Sequence, residues 1–378
     1  MTETILTNAT LVLPDRVIPG TVTLRDGRIT EVQPGRSASA AAVDLEGDYL
    51  IPGVVDVHTD NLERQVQPRS NARWPSRSAM VAHDAQCAAA GVTTVLDALC
   101  IGDLGFDTGR IKTFQDGVAD LDALAGTGLL KADHYLHLRC EMPARDVLDL
   151  LEPVADHPAV RMISLMDHSP GVGQYCNIDN YRAIRRREGM AEDAIEKRIA
   201  FLLDQRARLR TPNRRAMLAR VADRDVVLAS HDDNTLEEIE ENHRDGIRIS
   251  EFPVSMLAAR AAKACGMDVI AGAPNIVRGG SHSGNVAAAD LVRAGAVDAL
   301  ASDYVPAALI DAAFQCVART GITLAEGVAL VTAAPARLAG LADRGRIEPG
   351  LRADLVRLRL HESLPVVRQV WRAGERVI

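Results

Sequence analysis

From Leu50 onward the chain alternates short apolar runs with helix-forming stretches. The runs fall near residues 51–58, 92–97, 134–140, 160–166, 226–230, 248–252, 268–272 and 298–302. Each is short, bounded by turn or polar residues, and followed by a segment long enough for a helix. Eight such alternations predict parallel strands joined by crossover helices, and so a closed (β/α)8 barrel of the α/β class. An open, doubly wound sheet produces a similar rhythm and stays the alternative.

The two ends of the chain follow a different pattern. Residues 4–33 alternate apolar and polar positions, with Asp26-Gly27 as a turn dipeptide between Thr21–Leu24 and Arg28–Val32. Residues 35–42, rich in small side chains, read as a loop. After about residue 345 the chain is strand-like again, and Gly374-Glu375 is placed to close a last hairpin. Neither end has enough strands to be stable alone, so both are expected to join in one small β-sandwich domain. The expected organisation is residues 1–50 plus 345–378 as a composite β domain and 51–344 as the barrel. A polar, Arg- and Glu-rich insertion at about 169–225, between the fourth and fifth strands, should be helical with a solvated face.

Composition narrows the chemistry. Of 378 residues, 47% are hydrophobic but only 3% aromatic, so the core must be built from aliphatic side chains. A formal net charge of −8 excludes a whole-chain basic footprint for nucleic acid, and a polyanionic ligand would need a local basic pocket. The cysteines, Cys87, Cys100, Cys140, Cys176, Cys265 and Cys316, form no CxxC pair and are scattered as buried thiols are in a reducing compartment. The N-terminal residues lack the pattern of a signal peptide, and no apolar run is long enough to span a membrane. A cytoplasmic protein is expected, with a homodimer as the default assembly.

The apolar runs end on residues that carry chemistry. The first ends at His58-Thr59-Asp60, where side chains two apart lie on one face of a strand and can share a metal ion. The third ends at His137-Leu138-Arg139-Cys140-Glu141, the fourth at Asp167-His168, the fifth at Ser230-His231-Asp232-Asp233 and the eighth at Ser302-Asp303. In a barrel these ends meet at one face, where active sites are built. A single polar strand end is an ordinary entry into a loop; five converging on imidazoles and carboxylates point to a metal centre. Nitrogen and oxygen donors suit Zn, Mn or Fe. One or two divalent ions per subunit are expected, with Asp60 or Glu141 able to bridge a pair. Asp303 is the expected general base beside the metal.

Basic groups cluster on the same side of the chain's plan. The loop after the seventh strand, Gly272 to Asn285, is rich in glycine and leads into a helix, a setting that favours anions through backbone N–H groups. Arg278, Ser281, His282 and Asn285 add donors there. Arg64, Arg69 and Arg73 follow the first strand, and Arg139 sits two residues from Glu141. Guanidinium groups match phosphate oxygens bidentately, so Arg69, Arg73, Arg139 and Arg278 are expected to bind substrate phosphates. His83, His134, His157, His243 and His361 receive no role from their positions; His83-Asp84 opens an apparent helix, where either orienting a metal ligand or a surface or capping role stays open.

The segments IPGVVDVHTD, GRIEPGLRADLV and VWRAGERVI resemble the amidohydrolase superfamily. HTDNLERQVQPRSNARWP, HLHLRCE, SLMDHSPG, ASHDD, GAPNIVRGGSHSGN and SDYVPAALIDAAF further resemble the alpha-D-ribose 1-methylphosphonate 5-triphosphate diphosphatases of the carbon–phosphorus lyase pathway. That resemblance implies a phosphorylated ribose as substrate, split by water into pyrophosphate and ribose 1-methylphosphonate 5-phosphate. It also implies His58, Asp60, Glu141, His168, His231 and Asp303 as the metal site. The chain departs from the commonest superfamily pattern in carrying His58-Thr59-Asp60 in place of His-x-His. No lysine stands at a strand end to bridge two metals, and Glu141 is the natural substitute.

Two rivals stand beside this reading. One is an amidase or deaminase that cuts a C–N bond on the same scaffold, since fold does not settle substrate. The other is a scaffold subunit without catalysis, which would have no need of five aligned polar strand ends. Clustered arginines favour phosphate over the first rival, and metal content separates the second.

Overall fold

The computed structural model describes residues 3–69, 72–105, 109–281 and 284–378. Five strands open the chain: β1 (Glu3–Val12), β2 (Val17–Arg25), β3 (Arg28–Pro34), β4 (Val43–Asp44) and β5 (Tyr49–Pro52). Eight follow in the barrel: β6 (Val54–Thr59), β7 (Val92–Ile101), β8 (Asp133–Glu141), β9 (Val160–Met166), β10 (Val227–His231), β11 (Ile249–Glu251), β12 (Asp268–Gly272) and β13 (Ala299–Ala301). Three more end the chain: β14 (Leu355–His361), β15 (Leu364–Arg372) and β16 (Glu375–Arg376).

Strands β6 to β13 pair in sequence order and all in parallel, with helices between them, as the eightfold rhythm predicts. The ring closes where Thr59 bridges Asp303. Asp303 N–H donates to His58 O (3.0 Å) and Asp60 N–H to Asp303 O (2.8 Å). The seam of the barrel is therefore tied by residues of the expected site. Inside, Val55, Val57, Leu96, Met162, Ala229, Ile249, Ile270 and Ala299 fill the lumen. The alternate positions Leu99, Ile101, Leu136, Leu138, Ile163 and Leu165 turn outward onto the helices. The alternation has period two, as strand geometry requires.

The terminal strands form a second, mixed sheet in the order β16-β15-β14-β5-β1-β2-β3, with β4 on β1. Two local boundaries differ from the sequence expectation. The apolar run 51–58 is divided, because Gly53 separates β5, which pairs with β14, from β6, which enters the barrel. A Cβ at Gly53 would collide with Thr93 Oγ1 and crowd Asp354 Cβ, so the chain crosses between sheets where only glycine fits. The last hairpin turns at Ala373-Gly374 rather than Gly374-Glu375, since Arg372 pairs with Glu375. Both turn residues have positive φ, 48° and 77°, which suits a two-residue hairpin.

The segment after β9 is helical, with a turn at Gly173–Tyr175 and helices Ile178–Arg187 and Glu192–Val221. The longer helix is not wholly solvated. Ile195, Ile199, Leu202, Met217 and Val221 are buried. Gln205 Nε2 donates to Pro143 O (2.9 Å) and Asn213 Nδ2 to Met142 O and Ala144 O (2.8 Å each). These bonds pin the helix to the loop that follows Glu141. No helix among the described residues is long and apolar enough to cross a membrane.

Candidate active site

A cavity of about 500 Å³ opens at the C-terminal ends of the barrel strands. Asp60, Arg139, Glu141, His168, His231 and Asp303 line it, as do Arg278, Ser281 and Asn285. The segment expected as a glycine-rich loop is helical over Ala273–Arg278, so Arg278 ends a helix and only Ser281 and Asn285 lie on the loop beyond it. His58 lies at the floor, with its ring stacked 5.6 Å from that of His231, and is fully buried. His282 falls outside the described residues. Arg69 and Arg73 do not line this cavity. Arg73 reaches the other way, donating to Thr113 Oγ1 (3.1 Å) and Asp116 Oδ2 (2.9 Å). Arg64 is held at the rim by Tyr304 O (2.8 Å).

Three histidines are oriented by two carboxylates. Glu251 Oε1 lies 3.1 Å from His58 Nδ1, and Glu251 Oε2 lies 3.4 Å from His231 Nδ1. Ser164 Oγ donates to the same Oε2 (2.5 Å). Glu141 Oε2 lies 2.6 Å from His168 Nδ1, while Oε1 accepts from the His168 backbone N–H (2.9 Å). Both oxygens of Glu141 are thus engaged by His168. With each Nδ1–H directed at a carboxylate, each Nε2 keeps its lone pair. This is the arrangement that prepares imidazole for a metal, the carboxylate fixing tautomer and ring direction.

What the three Nε2 atoms face supports that reading. His58 Nε2 is buried with no hydrogen-bond partner among the described residues. His231 Nε2 and His168 Nε2 lie 3.8 Å and 3.9 Å from Asp232 Oδ2, too far for hydrogen bonds. His168, His231 and Asp232 offer ligand atoms within 4.8 Å of one another, and so do His58, His231 and Glu251. An orphaned buried nitrogen and a carboxylate poised between two lone pairs fit a divalent cation.

Electrostatics agree. Burial pushes the imidazole of His58 down to about 4 and that of His137 to about 3, so both are neutral despite the Glu251 carboxylate. Burial opposes the charge of Glu251, but His137, His58 and His231 outweigh it and hold this carboxyl well below its usual range. Burial also opposes a charge on His168, where Glu141 and Asp232 prevail and raise it, as they would favour any cation placed there. Asp303 is pushed up to about 7, first by burial and then by the negative charge of Asp60.

The backbone contributes as well. Asp232, Phe252 and Asp303, each just past a barrel strand, hold positive φ values of 59°, 51° and 55°. Non-glycine residues pay roughly 1–2 kcal/mol for that conformation, and such strain gathers where side chains must be aimed.

Arg139 is buried, and its Nε and Nη1 have no hydrogen-bond partner among the described residues. Asp60 Oδ2 is its nearest carboxylate, 3.7 Å from Nη1. Arg110, at the start of helix Gly109–Leu124, adds a second guanidinium to the cavity wall beside it, with Nε bonded to Glu63 (3.1 Å). Arg185 and Tyr175 of the insertion form another part of the wall. Arg278 enters from the end of the short helix Ala273–Arg278 that follows β12, across the barrel from β7 and β8.

The strand-end reading names Asp232 without making it a ligand, and it does not reach Glu251, Arg110, Arg185 or Tyr175. Glu251 had a visible signal, because it ends the apolar run of the sixth strand as the other site residues end theirs. A second buried group, His83, Asp97 and His134, also brings three potential ligands together. There Asp97 Oδ1 and Oδ2 already bond His83 Nε2 (2.7 Å) and His134 Nδ1 (2.8 Å). This group is a hydrogen-bonded network between β7, β8 and helix Ser76–Ala89.

Comparison with known proteins places this geometry in a family. The amidohydrolase family model matches residues 196–378. The chain is 42% identical to alpha-D-ribose 1-methylphosphonate 5-triphosphate diphosphatase of Escherichia coli (strain K12), over 99% of this chain and 100% of that protein. It is 30% identical to a D-hydantoinase of Rhizobium radiobacter over 41% of this chain and 31% of that enzyme. Among solved structures, a variant of N-acetyl-D-glucosamine-6-phosphate deacetylase from Mycobacterium smegmatis superposes with a TM-score of 0.66 at 17% identity, covering 100% of both chains, which speaks to fold. The chain belongs to the amidohydrolase superfamily, as a metal-dependent hydrolase and a full-length relative of that diphosphatase.

Proposed function

We propose that this hydrolase cleaves the triphosphate of alpha-D-ribose 1-methylphosphonate 5-triphosphate, releasing pyrophosphate and alpha-D-ribose 1-methylphosphonate 5-phosphate, in phosphonate breakdown. The observation that carries this is the full-length likeness to the Escherichia coli enzyme of that name, at 42% identity. The cavity supports it, because guanidinium groups and a carboxylate–histidine centre line the same volume.

His58, His168, His231 and Asp232 would hold a divalent ion, Zn, Mn or Fe by donor type, with Glu251 and Glu141 orienting the rings. Asp60 and Asp303 face the same volume and can complete a one- or two-ion site. When bound, a divalent cation neutralises phosphate charge and makes water more acidic. Arg139 and Arg110 bind phosphate oxygens on one side, and Arg278, Ser281 and Asn285 bind an anionic group on the other. Asp303 accepts the proton as the water oxygen bonds to phosphorus, and the bridge between the α- and β-phosphates breaks, so pyrophosphate leaves. Positioning and charge neutralisation supply most of the catalysis in such a reaction.

The rival, hydrolysis of a C–N bond, draws on the partial likeness to D-hydantoinase. A side-by-side assay of the zinc- or manganese-loaded protein against the ribose triphosphate, ATP and hydantoin separates the two. Fastest turnover of the ribose triphosphate is expected. Turnover of hydantoin alone would replace the proposal with the rival.

A further inference from the structure

The network around His83 runs from the outer helix layer to the corner that carries Asp60. Asp84, on helix Ser76–Ala89, accepts the backbone N–H groups of Lys131 (2.9 Å) and Ala132 (2.9 Å). It also faces His134 Nε2 at 3.2 Å, and Asp97 faces His134 Nδ1 at 2.8 Å. His134 therefore donates through both nitrogens. The other oxygen of Asp97 accepts His83 Nε2–H (2.7 Å). His83 Nδ1 is then an acceptor, and Asn61 Nδ2 donates to it (2.9 Å). The second hydrogen of that amide goes to Gln86 Oε1 (3.0 Å).

Donors and acceptors alternate along this path without a mismatch, which leaves one tautomer for His83 and one orientation for the Asn61 amide. His83, Asp84, Asp97 and Asn61 are at most 1% exposed, so water cannot replace a missing partner. Asn61 is the first residue of helix Asn61–Val66 and follows Asp60 directly. The Asp60 backbone is fixed on its other side by Asp303 O (2.8 Å).

We infer that His83 is a positioning residue for the active site: through the Asn61 amide it fixes the Asp60–Asn61 corner, and with it the aim of the Asp60 carboxylate into the cavity. The inference rests on the reading of that cavity as a metal centre. A core network serving only stability would have no need to end on the residue next to Asp60.

The test uses full-length protein and zinc, with affinity read by competition against a chromophoric chelator, kcat and KM for the triphosphate measured separately, and thermal melting as a control. His83→Leu removes the hydrogen bonds to Asp97 and Asn61, and with them the weaker contact of the Cys87 thiol (3.7 Å to Nδ1); His83→Gln keeps one donor and one acceptor. His83→Leu is expected to weaken zinc binding and lower kcat by about 10–100-fold, the usual cost of losing an outer partner, with KM changed less than about threefold. His83→Gln should recover most of both. Asn61→Ala, which leaves the carboxylates and histidines paired, should repeat the loss and serves if His83→Leu does not fold. Wild-type zinc affinity in Asn61→Ala, or equal loss in the Gln and Leu variants, would overturn the inference. Failure of the wild-type protein to bind zinc would instead overturn the metal-centre reading itself.

Discussion

Glu251 joins His58 and His231 through its two separate oxygens, at 3.1 Å and 3.4 Å, with its carboxylate completely buried. One side chain from the short strand β11 thus fixes imidazoles from β6 and β10. Replacing it removes the orientation of both rings and the buried charge that balances a cation. Glu251→Gln is expected to lower metal affinity and kcat by about 10–100-fold each. Metal analysis after gel filtration, set beside kcat of the reloaded protein, checks this; a variant with full metal content and rate would remove Glu251 from the centre.

Arg139 is buried beside Asp60 with two guanidinium nitrogens lacking hydrogen-bond partners among the described residues, which suits an arriving phosphate. Losing a charge-assisted hydrogen bond costs about 1.5–3 kcal/mol, so Arg139→Gln should reduce kcat/KM for the triphosphate by about 10–100-fold. Arg139→Lys should recover only part, because a point charge lacks the planar fork. Steady-state kinetics on both variants decides it.

Arg73 and Arg278 should behave differently although both were expected to bind phosphate. Arg73 is engaged by Asp116 and Thr113 away from the cavity, and Arg278 lines it. Arg73→Gln should leave KM within about twofold and change stability by no more than about 1 kcal/mol, the scale of a partly exposed ion pair. Arg278→Gln should raise KM several-fold. Equal effects in the two variants would contradict the placement.

The sequence made the barrel legible because its strands end on recognisable chemistry, and all five of those ends converge on the cavity: Asp60, Glu141, His168, His231 and Asp303 line it. What it hid has physical causes. A period-two reading sends Asp232 to the face opposite His231, but its φ of 59° turns the backbone and returns the carboxylate to within 3.8 Å of His231 Nε2. Glu251 ends its run as the other site residues do, but its strand has three residues, too short for alternation to show which way it faces. Gly53 sits inside an unbroken apolar run, and only the packing of Thr93 and Asp354 reveals that the chain changes sheets there. Arg110 and Arg185 reach the cavity from helices whose tilt over the barrel no local pattern encodes.

His134 gives a pH signature. Burial would lower its pKa, but Asp97 and Asp84 prevail and hold it at about 10, above the ordinary value of about 6.5. The folded state therefore keeps a proton that the unfolded chain releases. This stabilisation is fully present below about pH 6.5 and is lost as pH rises toward about 10, by up to roughly 1.4 kcal/mol per pH unit. Urea unfolding at fixed metal concentration should show a decline across that window that is absent in His134→Gln. Parallel profiles for the two proteins would contradict it.

The most direct measurement is phosphorus NMR of the purified protein with alpha-D-ribose 1-methylphosphonate 5-triphosphate, run with added zinc or manganese and again after chelation. The expected result is pyrophosphate and the 5-phosphate product in equal amounts with metal, and neither without it. An unchanged triphosphate in the presence of folded, metal-loaded protein, or equal pyrophosphate release after the metal is stripped, would contradict metal-dependent cleavage at this centre.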